Sequence, residues 1–187
     1  MSRAGGPTVL AAMRLEALAL GGRVVRIGMG HRKAEGRALG LAAELPPGAP
    51  VVLAGISGGL DPGLLPGEIV VATSVRGPDG DERTLGAADG AAVAAQLRGT
   101  GREVHLGPVV SSPTLVHGER RAELARSGAL AVDMETAWVA AALGAQRLVV
   151  VRVVADTAGN VVVGLLKGLV ALRGVRPAVD RWPGAPG

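Results

Sequence analysis

The sequence contains no cysteine, no phenylalanine and no tyrosine, and its two aromatic side chains are Trp138 and Trp182. The absence of cysteine excludes disulfide bonds and thiolate metal ligands. Three histidines, at positions 31, 105 and 117, are separated too widely to indicate a metal site, and we predict none. Because 48% of the 187 residues are apolar, the chain can bury a core, and that core must consist mainly of Val, Leu, Ala and Ile.

Charge and hydropathy narrow the class of protein further. The formal net charge is only +4, and the basic residues are scattered, with no aromatic residues among them for bases to stack on. This pattern argues against a nucleic-acid partner. No stretch reaches the roughly 18 uncharged apolar residues of a membrane-spanning helix. Arg14 and Glu16 interrupt the apolar run near the N-terminus, which makes it a poor signal peptide, so we expect a cytoplasmic protein.

Short apolar runs alternate with helical patterns along the chain. The predicted strands cover 8–13, 24–28, 51–55, 68–75, 104–110, 129–132 and 147–155. The predicted helices cover 14–20, 32–45, 87–98, 119–127, 134–143 and 161–172. Continuously apolar strands that alternate with helices indicate a mostly parallel, twisted sheet covered on both faces. We therefore predict one three-layer α/β/α domain over 1–187, with its core at about 8–172, a glycine-rich turn at 55–67 and a frayed tail from 180.

Four carboxylates follow predicted strands. Glu16 follows the first strand, Asp133 and Glu135 follow the strand at 129–132, and Asp156 follows the strand at 147–155. If these strands are parallel, their carboxyl ends share one edge of the sheet, where ligands bind. Each acid also has a structural alternative: a solvated helix position for Glu16, a helix N-cap for Asp133, a first helical turn for Glu135 and a turn cap for Asp156.

The segment VDMETAWVA (132–140) resembles the V-x-M-E-[ST]-A-x-[IV]-A signature of the nucleoside phosphorylase/nucleosidase superfamily. Three further segments resemble motifs of its branch of 5′-methylthioadenosine/S-adenosylhomocysteine nucleosidases, in the same order. These segments are AAMRLE (11–16), GISGGLDPGLLPGEIVV (55–71) and RVVADTAG (152–159). The sequence is also similar to the hopanoid-associated phosphorylases, whose proposed substrate is adenosylhopane.

The resemblance implies that the protein cleaves the N-glycosidic bond of a purine nucleoside and releases adenine. Asp156 would protonate the base at N7, for which it must hold a proton near neutral pH, a state that burial favours. Glu16 would activate the attacking water. Glu135 would bind the ribose hydroxyls and stabilise the oxocarbenium-like transition state, and Met134 would pack under the sugar.

The resemblance assigns further substrate contacts as well. They are Ile56, Ser57, Gly58, Leu115, Val116 and Arg152. Leu115 and Val116 stand where the nucleosidases usually have a stacking phenylalanine, so aliphatic contacts would replace stacking on the base. An apolar pocket of this kind also suits a lipid-linked 5′ substituent, as in adenosylhopane.

The nucleophile is less clearly indicated. Phosphorolytic relatives hold phosphate with an arginine and a serine at the positions of Leu53 and Ile56, which favours water as the nucleophile here. Gly28, Gly30 and Arg32 nevertheless lie just before or at the start of a predicted helix, where backbone amides and a cation can bind an anion. Phosphate is therefore the alternative nucleophile.

The sequence also departs from the family at several positions, so a non-catalytic nucleoside-binding module is a further alternative. The resemblance implies no cofactor and a homodimer or higher homo-oligomer.

Overall fold

Helices and strands alternate along most of the chain in the computed structural model, which describes residues 6–156 and 161–182. The strands are β1 Thr8–Ala11, β2 Val25–Arg26, β3 Pro50–Gly59, β4 Ile69–Arg76, β5 Glu82–Thr84, β6 Val104–Ser111, β7 Ala131–Asp133 and β8 Arg147–Asp156. The helices are α1 Arg14–Leu20, α2 His31–Glu44, α3 Ala87–Arg98, α4 Gly118–Arg126, α5 Thr136–Leu143, α6 Val161–Leu172 and α7 Val175–Val179. None of the described helices is long and apolar enough to cross a membrane.

The central strands are apolar at nearly every position because helices cover both faces of the sheet. Side chains alternate along a strand, so neighbouring residues enter different cores. Leu53 and Val150 pack in a core with α2 and α5. Val52 and Val149 pack on the other face with α1, α3, α6 and α7. This arrangement confirms the predicted three-layer α/β/α fold.

The sheet is mostly parallel and partly closes on itself. β1 pairs in parallel with β2 and β3, and β3 pairs in parallel with β8. β8 pairs with β4 in the antiparallel sense. β4 then pairs in parallel with β6, and β6 pairs in parallel with β7. β7 returns to the last two residues of β3 as an antiparallel partner. Five strands therefore form a closed ring, and β1 and β2 extend the sheet beyond it on the side of β3.

The prediction of a turn beginning at Gly55 is wrong, because β3 continues to Gly59. The glycines here serve close packing inside a strand. A Cβ on Gly55 would lie 2.6 Å from both Arg152 Nη1 and Glu16 Oε1, and one on Gly58 would lie 3.2 Å from Val132 Cγ1. A glycine-rich strand that other groups approach closely resembles a turn in sequence alone.

The structure differs from the prediction at four other places. β5 and α7 were not predicted, and α5 begins at Thr136, two residues later than expected. The expected fraying is wrong for 180–182, since Trp182 is only 1% exposed and its ring lies under the guanidinium of Arg147. Residues 183–187 lie outside the described part of the chain.

Substituting Gly55 by alanine should destabilise the fold, because the new methyl group has no space between two buried side chains. Overpacking of this kind costs about 1–3 kcal/mol. The matched control is Gly40→Ala on the exposed side of α2, where nothing beyond the helix's own neighbouring backbone lies within 4 Å of the added carbon. Alanine there should raise stability by about 0.4–1 kcal/mol. Urea denaturation of both variants checks this, and equal midpoints would contradict the close packing around Gly55.

Candidate active site

A cavity of about 330 Å³ lies at the carboxyl ends of β1, β3 and β8. This volume is in the range of small-molecule sites. Nine of the residues proposed from the sequence line it, namely Glu16, Ile56, Ser57, Gly58, Leu115, Val116, Met134, Glu135 and Asp156. The other lining residues are mostly apolar, so a few polar groups face an otherwise hydrophobic space.

The remaining proposed residues lie elsewhere. Arg152 is fully buried behind the cavity wall. Gly28, Gly30 and Arg32 do not line the cavity, although the intervening Met29 does.

The carboxylates meet for a reason that the sequence did not indicate. Glu16 and Asp156 do follow parallel strands, since β1 and β8 both pair in parallel with β3. β7, however, runs antiparallel to β3, with Gly58 opposite Val132. The chain leaving β7 therefore runs back along β3, and this reversal brings Glu135 to the cavity.

Arg152 organises the polar groups behind the cavity. Its Nη2 forms a salt bridge of 2.6 Å with Asp133 Oδ2 and donates a hydrogen bond of 2.5 Å to Thr136 Oγ1. Both members of the salt bridge are almost completely buried. Among the described residues, no hydrogen-bond partner exists for Arg152 Nη1, which lies beside Gly55 and the carboxylate of Glu16.

Asp133 links this arginine to the start of α5. Its Oδ1 accepts hydrogen bonds from the Thr136 amide at 3.1 Å and from the Ser111 hydroxyl at 2.6 Å. Asp133 therefore satisfies a free amide at the helix start, but the N-cap residue is Glu135, so the prediction of Asp133 as the N-cap is wrong. Because α5 begins at Thr136, Met134 and Glu135 precede the helix, and the prediction that Glu135 lies in its first turn is wrong.

Glu16 is held by two backbone amides. Its Oε2 accepts a hydrogen bond of 2.7 Å from Met13 N, and its Oε1 accepts one of 2.8 Å from Ile56 N. Burial raises the pKa of the Glu16 carboxyl above its ordinary value of 4.5, while the charge of Arg152 and these amides act in the opposite direction. A carboxylate with a raised pKa is a better proton acceptor near neutral pH.

Glu135 occupies the position that the sequence suggested for a bound anion. The amide of Gly30, at the N-terminus of α2, donates a hydrogen bond of 2.8 Å to Glu135 Oε1. Burial raises the pKa of Glu135, the nearby Arg152 lowers it, and the neighbouring carboxylates Asp133 and Glu16 raise it further. The loop at 28–30 thus binds the protein's own carboxylate and orients it at the cavity.

Comparison with known proteins identifies the family of the chain. The sequence matches the family model described as the phosphorylase superfamily over residues 18–164. The chain belongs to the phosphorylase superfamily. No curated protein sequence matches it significantly.

Solved structures of the superfamily share the fold. The 5′-methylthioadenosine/S-adenosylhomocysteine nucleosidase of Neisseria meningitidis, in complex with methylthio-immucillin-A, is 20% identical with a TM-score of 0.78, covering 92% of this chain and 96% of its own. Futalosine hydrolase of Helicobacter pylori is 18% identical with a TM-score of 0.77, covering 92% and 96%. The nucleosidase of Campylobacter jejuni is 15% identical with a TM-score of 0.78, covering 95% and 100%.

Within this superfamily fold, Asp156 has a cationic partner that the sequence analysis did not identify. Arg121 Nη1 lies 3.0 Å from Asp156 Oδ2, and its Nη2 donates hydrogen bonds to the carbonyls of Asp156 at 2.7 Å and of Gly59 at 2.5 Å. The expected burial of Asp156 is incomplete, because 22% of its side chain is exposed. Arg121 was one of several scattered basic residues, and no motif distinguished it.

Replacing Glu135 by glutamine should stabilise the protein at neutral pH. The raised pKa means that folding favours the protonated form of Glu135 more than the unfolded chain does, so wild-type stability is lost as the pH rises from about 4.5 through the folded pKa. Glutamine keeps an acceptor for the Gly30 amide and carries no charge. Its advantage should reach about 1.4 kcal/mol per unit of raised pKa.

The measurement is the free energy of unfolding between pH 4 and pH 8. The control, Glu103→Gln, changes an exposed glutamate before β6 and should keep the wild-type pH dependence. A Glu135→Gln advantage that is constant over this range, or that grows toward low pH, would refute the burial effect.

Proposed function

We propose that this protein hydrolyses the N-glycosidic bond of a purine nucleoside. The observation that supports this most strongly is that Glu16, Glu135 and Asp156 line one cavity of nucleoside size. A base, a sugar and an attacking water need three different polar contacts, and these carboxylates supply one for each.

The sugar would lie against Glu135. Cleavage of the C1′–N9 bond develops positive charge on the ribose ring, and a carboxylate bound to the ribose hydroxyls stabilises that charge. The Gly30 amide holds Glu135 in place, so little reorganisation is needed. Met134 also lines the cavity and would pack under the ribose.

The purine would lie toward Asp156. Protonated Asp156 would donate its proton to N7 as the C1′–N9 bond breaks, so that the bonding electron pair leaves with a neutral base. Ile56, Leu115 and Val116 provide the apolar walls for the rings.

Water is the nucleophile that this site favours. Glu16 would accept a proton from the water as its oxygen bonds to C1′, and the amides of Met13 and Ile56 hold its carboxylate in place. A phosphate dianion would bring further negative charge close to Glu16 and Glu135, both of which already show raised pKa values. Neutral water meets no such repulsion.

The kind of nucleoside that the protein cleaves can be proposed in more detail. The Neisseria meningitidis structure contains a methylthio compound, which suggests an adenosyl thioether, and the futalosine hydrolase suggests another purine nucleoside. The exposed Met29 and Leu115 at the cavity offer apolar contacts to a large 5′ substituent, so an adenosylhopane-type lipid is also proposed. We also propose that the protein is cytoplasmic and forms a homodimer or a higher homo-oligomer.

Phosphorolysis is the second candidate. Ser57 lines the cavity, its hydroxyl has no partner among the described residues, and a donor of this kind binds phosphate oxygens as well as water. A non-catalytic nucleoside-binding module remains the alternative of a different class, and it predicts binding without base release.

Incubation with methylthioadenosine, S-adenosylhomocysteine, futalosine, adenosine and adenosylhopane should release free base from at least one compound without added phosphate. Chromatography of the products, with and without phosphate, measures this. Strict dependence on phosphate and a ribose 1-phosphate product would overturn the hydrolytic mechanism. Calorimetric binding without base release would indicate the binding module.

Substituting Asp156 by asparagine should lower kcat by about 10²–10⁴-fold with little change in KM, because the amide cannot supply the proton. The matched control is Asp79→Asn in the exposed turn between β4 and β5, which should keep wild-type kinetics. Undiminished turnover by Asp156→Asn would exclude Asp156 as the acid.

A further inference from the structure

Four exposed aliphatic side chains lie on two neighbouring helices, α1 and α6. Leu15 and Leu18 of α1 and Leu166 and Val170 of α6 are between 55% and 67% exposed. The two helices have only 7 and 12 residues, yet they carry four of the nine large apolar side chains that are exposed in the described part of the chain. Exposed apolar side chains that cluster in this way mark an interaction surface.

These four side chains point away from the sheet. α1 packs beside α6, and both helices bury their inner sides in the same core, through Leu20 of α1 and Leu172 of α6. The two exposed side chains of each helix are three or four positions apart, so they lie on one side of that helix. Together the four form an outward-facing apolar area, which we call the α1/α6 surface.

The charges on the same two helices are positive. Arg14 of α1 and Lys167 of α6 are exposed. Neither helix has an exposed acidic side chain, because the carboxylate of α1, Glu16, is 1% exposed and α6 contains no acidic residue. The α1/α6 surface therefore combines aliphatic side chains with cations.

The segments around this surface are basic as a whole. Residues 8–26 and 161–182 contain seven basic and two acidic residues, whereas the whole chain has a net charge of only +4. The two segments lie together, because Arg176 of α7 donates hydrogen bonds to the carbonyls of Gly21 and Arg23, each at 3.1 Å. The positive charge of the chain is thus concentrated on one side of the molecule.

We propose that the α1/α6 surface docks on an anionic lipid membrane. Its leucine and valine side chains enter the boundary between the headgroups and the acyl chains. Arg14 and Lys167 contact the anionic headgroups, and the other basic residues of the two segments add attraction at longer range.

Other partners fit this surface less well. In a two-fold contact between copies of the chain, a surface meets the same surface of the partner, so the basic region would face itself and like charges would repel each other. A nucleic acid would meet aliphatic side chains in place of the aromatic ones on which bases stack. An anionic bilayer is complementary to both the apolar and the basic groups.

The α1/α6 surface also borders the cavity. Met13, which directly precedes α1, and Leu165 of α6 both line it. Docking therefore brings the cavity close to the lipid, from which a nucleoside with an apolar 5′ substituent could enter. This consequence rests on the proposed nucleoside cleavage, whereas the docking itself does not.

The test is co-sedimentation of the full chain with two kinds of vesicle. One kind contains phosphatidylcholine and phosphatidylglycerol in equal amounts, and the other contains phosphatidylcholine alone. The wild type should bind the anionic vesicles more strongly by about fivefold or more, the gain expected from a single cation near an anionic surface. Sodium chloride at about 1 M, which shortens the screening length to about 3 Å, should remove most of this preference.

Matched substitutions separate the α1/α6 surface from the rest of the molecule. Leu15→Gln and Leu39→Gln each change a helical leucine that is 55% exposed, but Leu39 belongs to α2, which packs on the other face of the sheet. Leu15→Gln and Leu166→Gln should each lower vesicle binding by about tenfold, the loss expected when an apolar side chain of this size is no longer buried. Leu39→Gln should keep wild-type binding.

A charge variant tests the second part of the proposal. Lys167→Gln should lower binding to the anionic vesicles by about fivefold and leave binding to phosphatidylcholine vesicles unchanged. All of the substituted side chains are exposed, and circular dichroism checks that each variant folds.

The docking is overturned if the wild type does not bind the anionic vesicles, or if Leu15→Gln and Leu39→Gln lose binding equally. It is also overturned if the wild type binds no vesicles and Leu15→Gln converts a dimer into monomers in sedimentation equilibrium, since the surface then joins two copies. The proposed function is tested separately by base release. A chain that binds anionic vesicles as expected but releases no base would support the docking and refute the hydrolysis.

Discussion

The arrangement of the site depends on one buried ion pair. Arg152 lies in the middle of β8 with no exposed surface, and its charge is balanced by Asp133 at the end of β7. Removing either partner alone would leave an uncompensated buried charge, which typically costs about 3–5 kcal/mol. The pair therefore joins the two strands that position the site acids. Glu135 lies two residues after the end of β7, and Asp156 is the last residue of β8.

The same ion pair determines the electrostatics of the cavity. Arg152 opposes the effect of burial on the pKa of both Glu16 and Glu135. Backbone amides of Met13, Ile56 and Gly30 supply the other stabilising contacts. The two carboxylates can remain in an apolar cavity because each has a fixed donor, and their raised pKa values reflect the part of the desolvation cost that these donors do not offset.

The local sequence pattern predicted the fold well where a segment's own residue pattern matched the secondary structure that it adopts in the fold. The bounds of α1, α3 and α6 were predicted correctly, that of α1 with the help of Gly21 and Gly22, and the buried strands were predicted from continuous apolar runs. The prediction failed at β3, because glycines required for close approach of Arg152 and Glu16 have the same composition as a turn. It also missed β5, whose three residues are stabilised by pairing with β4 rather than by any apolar pattern.

The sequence by itself determined the layer architecture and singled out Glu16, Glu135 and Asp156, because apolar periodicity and recurring motifs are local properties. Only the tertiary structure decided that β7 reverses against β3, that the loop at 28–30 binds Glu135, and that Arg121 pairs with Asp156. These contacts join residues separated by 35 to 105 positions. No local pattern encodes such distances, since they arise only when the strands have paired and the helices have packed against them.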